Sequence, residues 1–200
     1  LVKLYKLTGQ NEQALALVNN LLSEDRLKAE YLRMKVEILI ALGEREQLIK
    51  AFNILYGLWF DDEINLLELS RLQRKARNLI GARKSIDRAL IISPSSDVVQ
   101  FEDIKLSIYE QAGESTKRKL QKLKKNVKNS SEVTALEGDW LLSQRMPEKA
   151  QKLYLKSISL NQNNSLSMVK AYELAQKGFL PADFESALLV TVKKYQGNYF

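Results

Sequence analysis

Residues 141–164 read LLSQRMPEKAQKLYLKSISLNQNN. Pro147 stands where a helix can begin, because its missing N–H is one of the donors that a first turn leaves unbonded. Three residues later comes Ala150, small among long Lys, Gln and Leu side chains, and four residues after it comes Tyr154. Positions i and i+4 share one face of a helix, so a small and a large side chain follow each other along a single stripe. Two helices come closest where small side chains meet and ridges enter grooves. A bulkier group in place of Ala150 overpacks that crossing, at about 1–3 kcal/mol. The placement is positional, and it predicts recurrence.

It recurs. Gly9, in KLTGQNEQAL, and Gly43, in ALGEREQLI, stand 34 residues apart, and a fixed period of this size marks a stack of supersecondary units. Further steps of 34 reach Arg77, Gln111, Arg145 and Phe179, each at or near an expected break between helices. Tyr5, Ala14 and Val18 surround the first break. Ala82, Ile86, Ala89, Leu90 and Pro94 follow the third, while Gly138, Leu141, Ala150 and Tyr154 surround the fifth. The second unit keeps Gly43 and Phe52 but has Leu48 where Ala is expected. In the fourth, GESTKRKLQKLKKNVK, the turn is placed at Gly113, which brings Arg118 near the Ala position. The last turn is placed at Gly178.

This arrangement resembles the tetratricopeptide repeat along essentially the whole chain. That family's unit has a small residue late in helix A, an aromatic three further on, Ala early in helix B, then an aromatic and another Ala. The resemblance implies an all-α fold: a right-handed superhelical solenoid of antiparallel helix pairs, about five to six repeats. Residues 1–200 then form one solenoid. The first unit begins partway through its helix A, so the expectation is a fragment of a longer repeat protein. Helices are predicted near 1–8, 11–23, 27–42, 45–58, 62–76, 79–92, 97–112, 115–128, 132–144, 147–160, 165–177 and 181–195, with Asp61 or Asp62 capping the fifth. Trp59 and Phe60 are expected to staple two units together, and Trp140 to join the core.

Composition narrows the chemistry. A hydrophobic share of 45% suffices for a core, and no apolar run approaches the roughly 18 residues of a membrane span. The sequence contains no Cys and no His, so disulfides, thiol chemistry, His-based acid–base catalysis and nearly all zinc sites are excluded. Ser167-Met168-Val169-Lys170 has the S-x-x-K form of serine acyl enzymes, but the companion S-D-N and K-T-G motifs are missing. No glycine-rich phosphate loop is present. The reading is a chain with no catalytic, metal or cofactor site.

The family resemblance places partner-binding side chains on the concave face formed by the A helices. Carried over by position, these are Arg33, Glu37, Leu67, Arg71, Arg74, Asp103, Ser107, Asp139 and Tyr172. Arg71 with Arg74 could hold an acidic side chain bidentately, and Tyr172 offers an aromatic anchor. Glu37 and Leu67 stand where a clamp for a terminal carboxylate would need amide or cationic groups, so that mode is disfavoured. A non-catalytic scaffold for a peptide or protein partner follows, with self-association through uncapped end repeats as a further possibility.

An alternative rests on charge. The net charge is +7, and its excess is concentrated in residues 71–128. Lys117, Arg118, Lys119, Lys122, Lys124, Lys125 and Lys128 surround a narrow stripe of Leu120, Leu123 and Val127. Residues 117–128 could meet nucleic acid or an anionic membrane, although the segment has no stacking aromatics, which makes nucleic acid the poorer partner. The Lys-, Asn-, Gln- and Leu-rich degenerate repeats resemble those of bacterial envelope-associated tetratricopeptide proteins, including the lipoproteins that accompany exosortase-type sorting systems. That favours a periplasmic or envelope setting over the cytoplasm.

Overall fold

The computed structural model describes residues 1–111 and 113–179, and every regular element among them is an α-helix. In order these are α1 (Val2–Leu7), α2 (Asn11–Glu24), α3 (Ala29–Leu42), α4 (Arg45–Leu58), α5 (Glu63–Lys75), α6 (Leu79–Ile92), α7 (Asp97–Tyr109), α8 (Gly113–Asn126), α9 (Ser131–Ser143), α10 (Pro147–Leu160) and α11 (Ser165–Gln176). The helix expected at 181–195 lies outside the described residues. Asp62, Asn78, Ser130 and Asn164 each cap a following helix by accepting a backbone N–H with their side chains. Asp61 plays no such part and pairs with Arg88.

The turn inside each pair is one motif repeated. Gly9, Gly43, Arg77, Gln111 and Arg145 all have left-handed backbone, with φ of 74, 77, 59, 56 and 59°. At four of these turns the next N–H reaches back five residues: Gln10 to Tyr5, Glu44 to Leu39, Asn78 to Gln73 and Met146 to Leu141, at 2.8–3.1 Å. This 6→1 bond satisfies a carbonyl that the helix end would otherwise leave free. Glycine takes the conformation without cost, whereas an L side chain holds it at roughly 1–2 kcal/mol. Arg77, Gln111 and Arg145 accept that cost because the flanking helices impose the geometry.

The fourth turn therefore falls on Gln111 and not on Gly113, which opens α8. Moving the turn back by two residues puts Thr116 at the close crossing in place of Arg118. Ala14, Leu48, Ala82, Thr116 and Ala150 recur every 34 residues, and all five are buried, four of them completely. Arg118 is exposed. One turn further along lie Val18, Phe52, Ile86, Leu120 and Tyr154, and facing them from the A helices lie Val2, Val36, Ser70, Ile104 and Gly138, all buried. These rows are the core. A Cβ on Gly138 would lie 2.7 Å from Tyr154 Cε1, so the phenol ring occupies the space that a side chain there would need.

The chain divides into two compact units, Leu1–Glu102 and Asp103–Phe200, and the division falls within α7. In the first, the core runs through Val18, Leu39, Phe52, Leu55 and Leu69 and includes Trp59. Phe60 is 41% exposed; its ring meets Tyr56 edge-on and lies under the Arg88 guanidinium, 3.9 Å from the ring centroid. Of the two aromatics read as a staple, Trp59 alone is buried. In the second unit the core gathers Ala135, Ala150, Tyr154, Ile158, Ala171 and Leu174; Trp140, expected in the core, is half-buried and is not among the residues packed against it.

Candidate functional site

Helix-A side chains three to four residues apart share a face, and the 34-residue register aligns those faces from pair to pair. Within the first unit the row contains Arg33 and Glu37 on α3, Ile64, Leu67, Arg71 and Arg74 on α5, then Val98 and Phe101 on α7. Leu67 is buried and serves the core. Ile64 and Val98 occupy the same position in successive A helices and are 77% and 56% exposed. Beside them Ser96 Oγ donates to Glu63 at 2.8 Å.

The charges of this face are largely spent on one another. Lys6 donates to Glu37, Arg33 reaches Glu37 at 3.4 Å and Glu68 at 3.9 Å, and Arg71 and Arg74 hold Glu102 at 2.9 and 3.4 Å. In the second unit Asp139 accepts from Tyr154 Oη at 2.7 Å and from Lys170. Lys6–Glu37, Arg71–Glu102 and Asp139–Lys170 each link helix A of one pair to helix A of the next across 31 residues. Burial tends to raise the Glu37 carboxyl, but Lys6 and Arg33 outweigh it and hold the group below its ordinary value. Burial, reinforced by the Asp139 carboxylate, pushes the Tyr154 phenol far above its usual range.

The acidic group that Arg71 and Arg74 were expected to take from a partner is supplied by this chain. Glu102 is only 4% exposed, and two guanidinium groups offset the cost of burying its carboxylate. Asp103 and Ser107, expected on the concave face, are buried and receive Lys119 Nζ at 2.8–3.1 Å. The two-residue slip at Gly113 explains the error: Phe101 and Lys105 are the register equivalents of Leu67 and Arg71. Tyr172 is 58% exposed, its hydroxyl accepting from Gln176 at 2.9 Å.

Ser167 is fully buried in a polar knot where α9, α10 and α11 meet. Its hydroxyl bonds Ser157 Oγ at 2.8 Å, and Asn164 Nδ2 donates to Ser131 Oγ and Ser157 Oγ at 2.8 and 3.0 Å. Lys170 is engaged with Asp139. A nucleophile needs an adjacent free base and access to substrate, and the Ser167–Lys170 pair has neither. Among the described residues no group of acidic side chains could hold a metal ion, and no helix is long and apolar enough to cross a membrane.

The basic helix is less free than its sequence. Thr116, Leu120 and Leu123 are its buried stripe. Lys117 lies 3.6 Å from Glu114, Lys119 is bound to Asp103, and Lys124 pairs with Glu137 at 2.6 Å. Arg118, Lys122, Lys125 and Lys128 are exposed and have no partner among the described residues.

No family model matches the sequence, and no curated protein resembles it significantly. Solved structures do. TTC0263, a thermophilic tetratricopeptide-repeat protein of Thermus thermophilus, superposes with a TM-score of 0.60 at 16% identity, over 88% of this chain and 95% of its own. For pilF of Pseudomonas aeruginosa the values are 0.58 and 15%, over 99% and 90%. For YrrB, a tetratricopeptide-repeat protein with an unusual peptide-binding site, they are 0.52 and 14%, over 84% and 86%. The class is thus a helix-pair repeat protein. Its fold is the tetratricopeptide-repeat fold, as the spacing of Ala150 and Tyr154 implied.

Proposed function

We propose that the chain is a non-catalytic scaffold that takes a peptide or protein segment along its A helices. The observation that carries this reading is the pair Ile64 and Val98. Two apolar side chains, widely exposed at equivalent positions of successive A helices, form a preset contact for a partner's apolar side chain. The ion pairs among Arg71, Arg74 and Glu102 hold the surrounding face rigid, which lowers the ordering cost of binding. In the second unit the same register position falls on Glu132 and then on Leu166, which is 54% exposed, while Leu142 and Tyr172 are exposed at other positions of their A helices. The peptide-binding site of the structurally similar YrrB gives independent support.

Placement in bacterial envelope or secretion assembly rests on the character of the repeats and the bacterial source of similar folds; cell fractionation of the tagged protein tests it. The alternative binder of nucleic acid or anionic membrane draws on Arg118, Lys122, Lys125 and Lys128 alone, since the other three cations of 117–128 are engaged within the chain.

The experiment is a pull-down from lysate of the source cell with mass-spectrometric identification, using wild type and Ile64→Glu/Val98→Glu. Both residues are exposed, so the substitution spares the fold, whereas Arg71→Ala would weaken the hold on buried Glu102. A partner retained at high salt by wild type and lost with the double variant is the expected result. Equal recovery by both baits defeats the helix-A reading.

A further inference from the structure

In the second unit, the C-terminal end of α8, the first two turns of α9 and the C-terminal half of α10 enclose a cleft of about 270 Å³. Its apolar lining is Val127, Val133, Leu153 and Leu160, and its cationic lining is Lys124, Lys128 and Lys156. Lys124 is neutralised by Glu137, itself part of the wall. Lys128 and Lys156, by contrast, are exposed and have no partner among the described residues.

The positive charge extends away from the cleft along both helices. Arg118, Lys122 and Lys125 follow one another at i, i+4 and i+7 on α8, and Lys149, Lys152 and Lys156 at i, i+3 and i+7 on α10. All are exposed without a partner among the described residues. Like charges at these spacings repel and slightly destabilise their own helix. Several cations elsewhere meet carboxylates, among them Lys6, Lys50, Arg71, Arg74, Arg88, Lys119 and Lys170. Of the cations along α8 and α10 without a partner, only Lys156 joins Lys128 and Lys124 in the cleft wall, so the cleft is an apolar floor with free positive charge at Lys128 and Lys156, and its complement is apolar at its centre and negative beside it.

The cleft's dimensions and chemistry choose among anions. Its volume of about 270 Å³ is ample for one large side chain. None of its lining residues is aromatic, so it has no platform on which a nucleobase could stack. Its apolar side chains line a concavity and do not stand proud, which is the wrong form for entering a bilayer. We propose that this cleft docks an acidic polypeptide segment: one apolar side chain seats on Val127, Val133, Leu153 and Leu160, and flanking carboxylates meet Lys128 and Lys156. None of these residues belongs to the helix-A face assigned above, so the chain carries a second docking surface of different chemistry.

A displayed library of random 12-residue peptides, selected on the 200-residue chain in physiological salt, tests the assignment. Selected peptides should be enriched in Asp and Glu on both sides of a Leu, Met or Phe. By fluorescence anisotropy they should bind wild type and Ile64→Glu/Val98→Glu equally, and bind Lys128→Gln/Lys156→Gln about tenfold more weakly. The charge-reversed Lys128→Glu/Lys156→Glu should regain affinity for the same peptides with Lys in place of their acids, and circular dichroism should show unchanged helix content for each variant. The proposal is overturned if the peptides carry no acidic bias, if neither lysine variant changes their affinity, or if reversing the peptide charges brings no recovery. Tighter binding of a single-stranded oligonucleotide or a phosphatidylserine vesicle than of any selected peptide overturns it as well. Because the helix-A variant runs alongside, failure here leaves the primary scaffold reading to its own test.

Discussion

The α5–α6 pair of the first unit and the α9–α10 pair of the second stand two periods apart, with Ala82 and Ala150 at the same close crossing. The space beside that crossing is filled differently. In α5–α6, Ser70 and Ile86 are buried at the positions that Gly138 and Tyr154 hold two periods later, and Gln73 accepts a buried 2.8 Å hydrogen bond from Ser85. In α9–α10, Gly138 yields its side-chain space to the Tyr154 ring, whose hydroxyl reaches Asp139 at 2.7 Å. One pair closes with a small polar link and a β-branched residue, the other with a single large ring anchored at its tip. The backbone frame is common property of the repeat; what fills it is negotiated locally, and volume must balance within each pair.

The comparison breaks most severely at Tyr154→Ala. Removing a fully buried ring against a glycine leaves a cavity that α9 cannot fill, and urea titration should show a loss of about 3–5 kcal/mol. Gly138→Ala comes next, because its Cβ meets Tyr154 at 2.7 Å, at a cost of about 1–3 kcal/mol. The double variant Gly138→Ala/Tyr154→Ile imports the balance of the α5–α6 pair and should recover part of that loss. Additive losses would show that the two pairs are not interchangeable solutions. In the first unit Gln73→Leu strands the buried Ser85 hydroxyl and should cost roughly 1–2 kcal/mol, most of which Ser85→Ala restores.

The smallest effect separates the charges of the two units. The Glu37 carboxyl is held below its ordinary 4.5 in the folded chain. Its contribution is therefore complete above about pH 4.5 and disappears as pH falls through the lowered native value. Thermal unfolding of wild type and Glu37→Gln should differ slightly at neutral pH, by about 0.2–1 kcal/mol for a half-exposed pair, and converge in acid. A difference that persisted in acid would mean that packing, and not charge, gives Glu37 its effect.

Much of the fold was legible because small and large side chains alternate at a fixed period, and helix limits followed from Pro147, Asp62 and the turn residues within a few positions. The fourth unit misled for a physical reason. Glycine is the residue most at ease in left-handed backbone, so Gly113 drew the turn, while the chain places it on Gln111. That slip moved Arg118 onto the crossing, Asp103 and Ser107 onto the open face, and Lys119 into the free basic patch. The strict period held the remedy, since Thr116 and Leu120 follow Ala82 and Ile86 by 34 residues. The candidate site was less legible. Sequence shows which side chains carry charge but not which charges find each other, so the Glu102 carboxylate between Arg71 and Arg74 was invisible. So was the cleft beside Lys156, on a helix that had been read for packing alone.

A left-handed residue every 34 positions also governs how such a chain can change length. Excising the stretch from one of these residues to the next, Gly43 to Arg77 for example, removes helix B of one pair together with helix A of the following one and brings equivalent crossing residues back into phase. Losing one residue fewer turns everything downstream by about 100° around the helix axis and presents the wrong face to its neighbour. The turns are the chain's natural joints for duplication and loss, and an array built on them lengthens or shortens by entire helix pairs.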